Sequence, residues 1–142
     1  MSSQYLLDTN IASFIIKGNV PAINRRLVRV PIDQLFISSI TEGELRYGVA
    51  RRPAATKLQQ LVEEFLLRIT VLPWDSDAAR HYGPLRADFE SLGQSLGYLD
   101  TLIGAHALSL GATLVTNDRA FNRIKKLRIE DWTMSHAGQR MM

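Results

Sequence analysis

Four acidic residues fall where an apolar run ends or a helical pattern begins. Asp8 follows Leu6-Leu7, Glu44 lies one turn beyond Phe36-Ile37, Asp100 heads the run Leu102-Ile103-Gly104-Ala105-His106-Ala107-Leu108, and Asp118 follows Leu114-Val115. The strands of a parallel sheet all end on one side, so carboxylates remote in sequence can converge there. Unpaired, such groups repel one another and some stay protonated. A divalent cation removes that conflict. With oxygen ligands only, and no cysteine in the chain, the fitting ions are hard ones, Mg²⁺ or Mn²⁺. Such an ion stabilises the charge of a phosphodiester transition state and acidifies a bound water that then attacks phosphorus.

Each acid also has a plainer use. Asp8 and Asp100 suit helix N-caps. Glu44 suits the return arm of a capping box begun at Thr41, and Asp118 within Thr116-Asn117-Asp118 suits a turn. Glu42 competes with Glu44, but residues two apart on a helix point to different sides, so only one of them faces a common site.

The elements that must position these acids are legible in the hydrophobic pattern. Tyr5-Leu6-Leu7 predicts a short buried strand, and Ile11, Ala12, Phe14 and Ile15 follow at helical spacing. A second helix starts at Val20-Pro21, with Ile23, Leu27 and Val28 inward, Asn24, Arg25, Arg26 and Arg29 outward, and Pro31 closing it. Leu35-Phe36-Ile37 reads as a strand ending in Ser38-Ser39. A capped helix from Thr41 then runs to Arg51-Arg52-Pro53. Ala54 to Arg68 is an amphipathic helix, and Ile69 to Leu72 a third strand. Asp75 or Ser76 caps a helix with Ala79, Tyr82, Leu85, Phe89 and Leu92 inward. After a loop from Gly93 to Gly97, Asp100 opens an apolar helix ended by Gly111. Ala112 to Val115 is a fourth strand. Phe121, Ile124 and Leu127 mark a short helix and turn, and Ile129 a small fifth strand. Alternating strands and helices predict a three-layer α/β/α sandwich on a mainly parallel sheet of four to five strands. Residues 1–132 make one domain, and 133–142 a tail expected to be flexible.

The ordered set of motifs resembles the PIN-domain ribonucleases and, within them, the VapC-type toxins of bacterial toxin–antitoxin pairs. The matching stretches are Leu7-Asp8-Thr9-Asn10, Ile37 to Gly48 with Thr41, Glu44, Leu45 and Tyr47, Asp100 to Leu108, and Val115-Thr116-Asn117-Asp118 with Phe121. The resemblance implies metal-binding and catalytic acids at Asp8, Glu44, Asp100 and Asp118, with Asn10, Thr116 and Asn117 in support. It favours Glu44 over Glu42, because the family's glutamate precedes Leu-x-Tyr-Gly. It also implies a Mg²⁺-dependent (or Mn²⁺-dependent) endoribonuclease that inhibits translation, with tRNA among its possible substrates. A cognate VapB-type antitoxin filling a groove, a toxin homodimer and a toxin–antitoxin hetero-oligomer follow from the same likeness. Arg86, in its Leu-Arg-Ala context, is a candidate contact for RNA phosphate or a site acid, and equally a solvated helix-face arginine.

The remaining features narrow the alternatives. The 142 residues carry 17 Lys and Arg against 14 Asp and Glu; with four acids drawn into one pocket, the rest of the surface is left clearly basic, which suits a polyanion. Arg25-Arg26-Arg29, Arg51-Arg52 and Arg123-Lys125-Lys126-Arg128 are available for backbone contacts. His106 lies in an apolar helix and reads as a packing residue; His81 and His136 belong to no constellation. Leu45, Tyr47, Leu58, Leu61, Phe65 and Leu66 exceed what a thin core needs, and some of them could line an antitoxin groove. The N-terminus has no secretory pattern and no run approaches a membrane span, so a cytoplasmic protein is expected. A receiver-type Mg²⁺ domain needs an acceptor Asp ending a middle strand and a later Lys; Val71-Leu72-Pro73-Trp74-Asp75 makes a poor acceptor site, and Thr116-Asn117-Asp118 stands in place of the lysine. A haloacid-dehalogenase-type phosphatase needs Asp-x-Asp, where Asp8-Thr9-Asn10 stands. A non-catalytic RNA-binding or interaction module of the same fold is the other alternative.

Overall fold

Leu6 and Leu7 are both fully buried, yet they belong to different cores, because successive side chains of a strand point to opposite faces. That alternation sets the architecture of the computed structural model, which describes residues 3–134; the tail expected at 133–142 lies largely outside them. The strands are β1 (Tyr5–Leu7), β2 (Leu35–Ser38), β3 (Thr70–Leu72), β4 (Thr113–Val115) and β5 (Ile129–Glu130). All four pairings are parallel, in the order β3-β2-β1-β4-β5.

The helices α1 (Thr9–Lys17), α2 (Pro21–Leu27), α3 (Ser39–Ala50) and α4 (Thr56–Arg68) contribute to the core on the Leu7 face. There Ile11, Ile23, Leu45 and Val62 meet Leu35, Ile37 and Val115 of the sheet. On the Leu6 face lie α5 (Ser76–Ser91), α6 (Tyr98–Leu110) and a 3-10 turn (Arg119–Arg123), with Phe89, Ile103, Phe121 and Ile124 packed on Leu114. The sandwich is therefore three-layered, as the alternating pattern requires. Gly104 of α6 is buried under the residues that follow β4: a β-carbon there would stand 2.8 Å from Ile124 Cδ1.

Several local expectations are corrected. The helix after β2 is capped by Ser38, whose hydroxyl accepts from the Ile40 amide, so it begins ahead of Thr41 and no capping box forms. Thr41 is fully buried, and its hydroxyl pairs instead with that of Thr9 at 3.1 Å. Asp100 is not a cap either: α6 starts at Tyr98 with Gly97 ahead of it. On α5 it is Ala78, not Ala79, that is buried, and Leu92 lies exposed beyond the helix end. Val28 is exposed just past α2, while Arg26, expected outward, bonds Glu130 at 2.7 Å and lies over the Trp132 ring.

Candidate active site

Strand order reverses beside β1: the chain moves outward through β2 and β3, then returns to pair β4 on the other flank of β1. The crevice at the carboxyl ends of such neighbouring strands is where open α/β sheets bind ligands. Asp8 is the first residue past β1, and its amide donates to Val115 O at 3.0 Å, at the end of β4. Thr116 and Asp118 leave β4 on the same side.

Asp8 is 4% exposed. It caps α1, with Oδ1 accepting from the Ile11 amide at 2.8 Å. Its other oxygen accepts the Thr116 hydroxyl proton. The Thr116 hydroxyl in turn accepts from the Asp118 amide at 3.0 Å, and Asp118 caps the following 3-10 turn through Ala120 at 2.9 Å. One buried hydroxyl thus ties together two of the acids.

The electrostatics are those of crowded carboxylates. Burial raises the Asp8 pKa to about 6, against the hydrogen bonds from Thr116 and Ile11, and the charges of Asp100 and Asp118 push it the same way. Asp100, at the third position of α6, is raised by burial and by Asp118. Three of the four acids therefore act on one another across the switch point. Glu44 is not among the charges acting on Asp8; it lines a cavity of about 350 Å³ with Thr9, the residue next to Asp8. Lys17, Arg51 and Arg52 border the same cavity. Glu42 is turned elsewhere, bonded to Arg46 at 2.9 Å, which also reaches Glu63 on α4.

No three or more Asp, Glu or His side chains among the described residues are arranged as a group that could hold a metal ion. The donor set nonetheless suits one: oxygen ligands only, one of them buried, repelling one another with no Lys or Arg bonded to Asp8. A hard divalent cation fits that chemistry.

Asn10 and Asn117 are exposed and are not among the groups that hold the Asp8 carboxylate. Arg86 bonds none of the four acids. Its guanidinium donates to Tyr98 Oη at 2.8 Å, Tyr82 Oη at 3.1 Å and Glu90 at 3.3 Å, and covers the Tyr98 ring. His106 is buried in packing, as expected, with Nδ1 2.8 Å from Ser38 Oγ; burial lowers its pKa, against the pull of Asp75. Sequence reasoning missed the Thr9–Thr41 and Ser38–His106 pairs, because a hydroxyl's partner 32 or 68 residues away leaves no periodic signal. Of the apolar surplus, Leu45 and Leu58 line the Glu44 cavity beside the exposed Tyr47, whereas Leu61 and Phe65 line another of about 390 Å³ between α1, α2 and α4.

The model of the PIN domain family matches residues 5–127. A tRNA(fMet)-specific endonuclease VapC of Shigella flexneri is 40% identical over 131 residues, covering 92% of this chain and 98% of the relative. The DNA-bound VapBC structure from Salmonella typhimurium superposes with a TM-score of 0.85 at 39% identity, over 92% of this chain and 99% of the other. VapBC2 of Rickettsia felis, bound to a DNA fragment from its promoter, gives 0.82 at 34% identity, over 89% and 96%.

Proposed function

The chain belongs to the PIN-domain family, and on that premise we propose that it is a divalent-metal-dependent endoribonuclease, the toxin of a toxin–antitoxin pair. The observation that carries the reading is Asp8, buried at the switch point between β1 and β4 and under the charge of Asp100 and Asp118. Asp8, Asp100, Asp118 and Glu44 are the residues that would hold Mg²⁺ or Mn²⁺. The bound ion supplies an acidified water and charge neutralisation at the phosphodiester.

The chain's own part is positioning. Thr116 fixes the orientation of the Asp8 carboxylate and the backbone of Asp118 through one hydroxyl. The Thr9–Thr41 bond holds the first turn of α1 against α3, the helix that carries Glu44. Asn10 and Asn117, both exposed, are proposed as polar support for the substrate. Lys17, Arg51 and Arg52 give the mouth of the Glu44 cavity a positive edge that suits an RNA backbone. The relatives' names make tRNA the substrate to try first. The neighbours' assemblies support a VapB-type antitoxin as partner. The apolar cavity between α1, α2 and α4 is the groove proposed for it, and a toxin homodimer is proposed within the hetero-oligomer. A cytoplasmic activity, with inhibition of translation as its result, is proposed with it.

The test is incubation with total bacterial RNA, with Mg²⁺ or with EDTA, beside Asp8→Ala. Metal-dependent cuts at few sites, absent from the variant and blocked by the antitoxin, are expected. Equal cleavage by both proteins, or cleavage undiminished in EDTA, overturns the proposal.

A further inference from the structure

Next to the acids, the first turn of α6 presents a flat aromatic surface that the proposed chemistry leaves unused. Tyr98 is the first residue of that helix, two before Asp100, and is 66% exposed. A tyrosine so exposed is normally free to change rotamer, but this one is held. Arg86 donates to its hydroxyl at 2.8 Å and sets its guanidinium carbon 5.0 Å from the ring centroid. Arg86 is itself fixed by Tyr82 and Glu90, one turn to either side on α5. These four residues line a pocket of about 180 Å³ that reaches Leu96 and Thr101.

We infer that Tyr98 is a stacking platform for an unpaired nucleobase flanking the scissile phosphate, with Arg86 as its positioning residue. The inference rests on the endoribonuclease reading and specifies which part of the RNA that site grips. Three features select a base over other ligands. The ring is planar, exposed and pre-oriented, so little rotamer freedom is lost when a base lies on it. The Arg86 charge is already balanced by Glu90, which disfavours a phosphate there. Residues two apart on a helix point to different sides, so the ring does not face Asp100 itself and takes a nucleotide to one side of the one being cut.

The experiment uses oligoribonucleotide hairpins in which 2-aminopurine is moved one position at a time through the loop, bound by protein carrying Asp8→Asn so that no strand is cut. Stacking quenches the probe. At one or two positions, Asp8→Asn protein should quench it, Asp8→Asn with Tyr98→Ala should not, and Asp8→Asn with Tyr98→Phe should. Binding should weaken roughly 5- to 100-fold in the alanine variant, the range expected for one lost base stack. Arg86→Gln should quench less while leaving far-UV dichroism unchanged. Hairpins that bind equally well with and without Tyr98, or quenching that never depends on it, overturn the inference. Wild-type cleavage of the same hairpins is scored separately: Tyr98-dependent quenching without cleavage would end the nuclease reading while the platform stands, and cleavage without such quenching the reverse.

Discussion

The hydroxyl of Thr116 donates to the carboxylate of Asp8 and, with a lone pair, receives the amide of Asp118. A buried acid just past β1 and another just past β4 are thus held in register by one side chain that carries no charge. Such outer partners orient metal-binding groups and commonly matter almost as much as the ligands themselves.

Thr116→Val keeps the shape and removes the hydroxyl, leaving the Asp118 amide unpaired and Asp8 without its donor. A stability loss of about 1–3 kcal/mol is expected, with cleavage reduced roughly 10- to 100-fold. Thr116→Ser should recover most of both. Urea unfolding and single-turnover cleavage rates, compared across the three proteins, measure this.

Asp8 makes the metal-free protein less stable at neutral pH. Its pKa is about 6 in the folded chain against 3.8 as a free side chain, so the folded state holds the proton more tightly. The associated stability is fully present below about 4, is lost as pH rises to 6, and is absent above it. The loss amounts to about 3 kcal/mol at 1.36 kcal/mol per pH unit. Asp100 is shifted in the same direction. In EDTA, Asp8→Asn should therefore melt higher than wild type at pH 7.5, and the two should converge near pH 4. A variant that melts lower at pH 7.5 would mean that the carboxylate is not strained.

Mg²⁺ should reverse that penalty. At a hundredfold excess over its Kd, a ligand that binds only the folded chain adds about 2.7 kcal/mol. Wild type at pH 8 should gain melting temperature with Mg²⁺, the gain should shrink below pH 6 as Asp8 takes up its proton, and Asp8→Asn should respond far less. Differential scanning fluorimetry across pH suffices to read this.

Ser38 serves two partners, the Ile40 amide and His106 Nδ1, inside the core. Ser38→Ala should cost about 1–3 kcal/mol by leaving buried groups unpaired. The pH profile of cleavage should not move, since His106 is buried against Ser38, away from the chemistry. A displaced profile would give His106 a role in the reaction.

The layers, the strands and the strand-end positions of Asp8 and Asp118 were legible in the chain because each leaves a local trace. Leu6-Leu7 before Asp8 and Leu114-Val115 before Asp118 are apolar runs stopped by polar residues, and a parallel sheet turns that into proximity. The boundaries around α3 were not legible: Ser38, Ser39 and Thr41 are all competent caps, and tertiary contacts with His106 and Thr9 decided between them. Arg86 read equally as a phosphate or site-acid contact and as a free helix-face arginine, because its partner Tyr98 lies beyond a loop, 12 residues on. Val28 was misplaced because α2 ends at Leu27, before its spacing could bring Val28 inward.

Titration calorimetry with Mn²⁺ at pH 7.5 tests most directly whether the carboxylates at the β1–β4 crevice share a cation. Wild type should bind at least one ion, and Asp8→Asn, Asp100→Asn and Asp118→Asn should each weaken it at least tenfold, with the Glu42→Gln control unchanged. No binding by wild type, or equal binding by wild type and Asp8→Asn, would contradict the account.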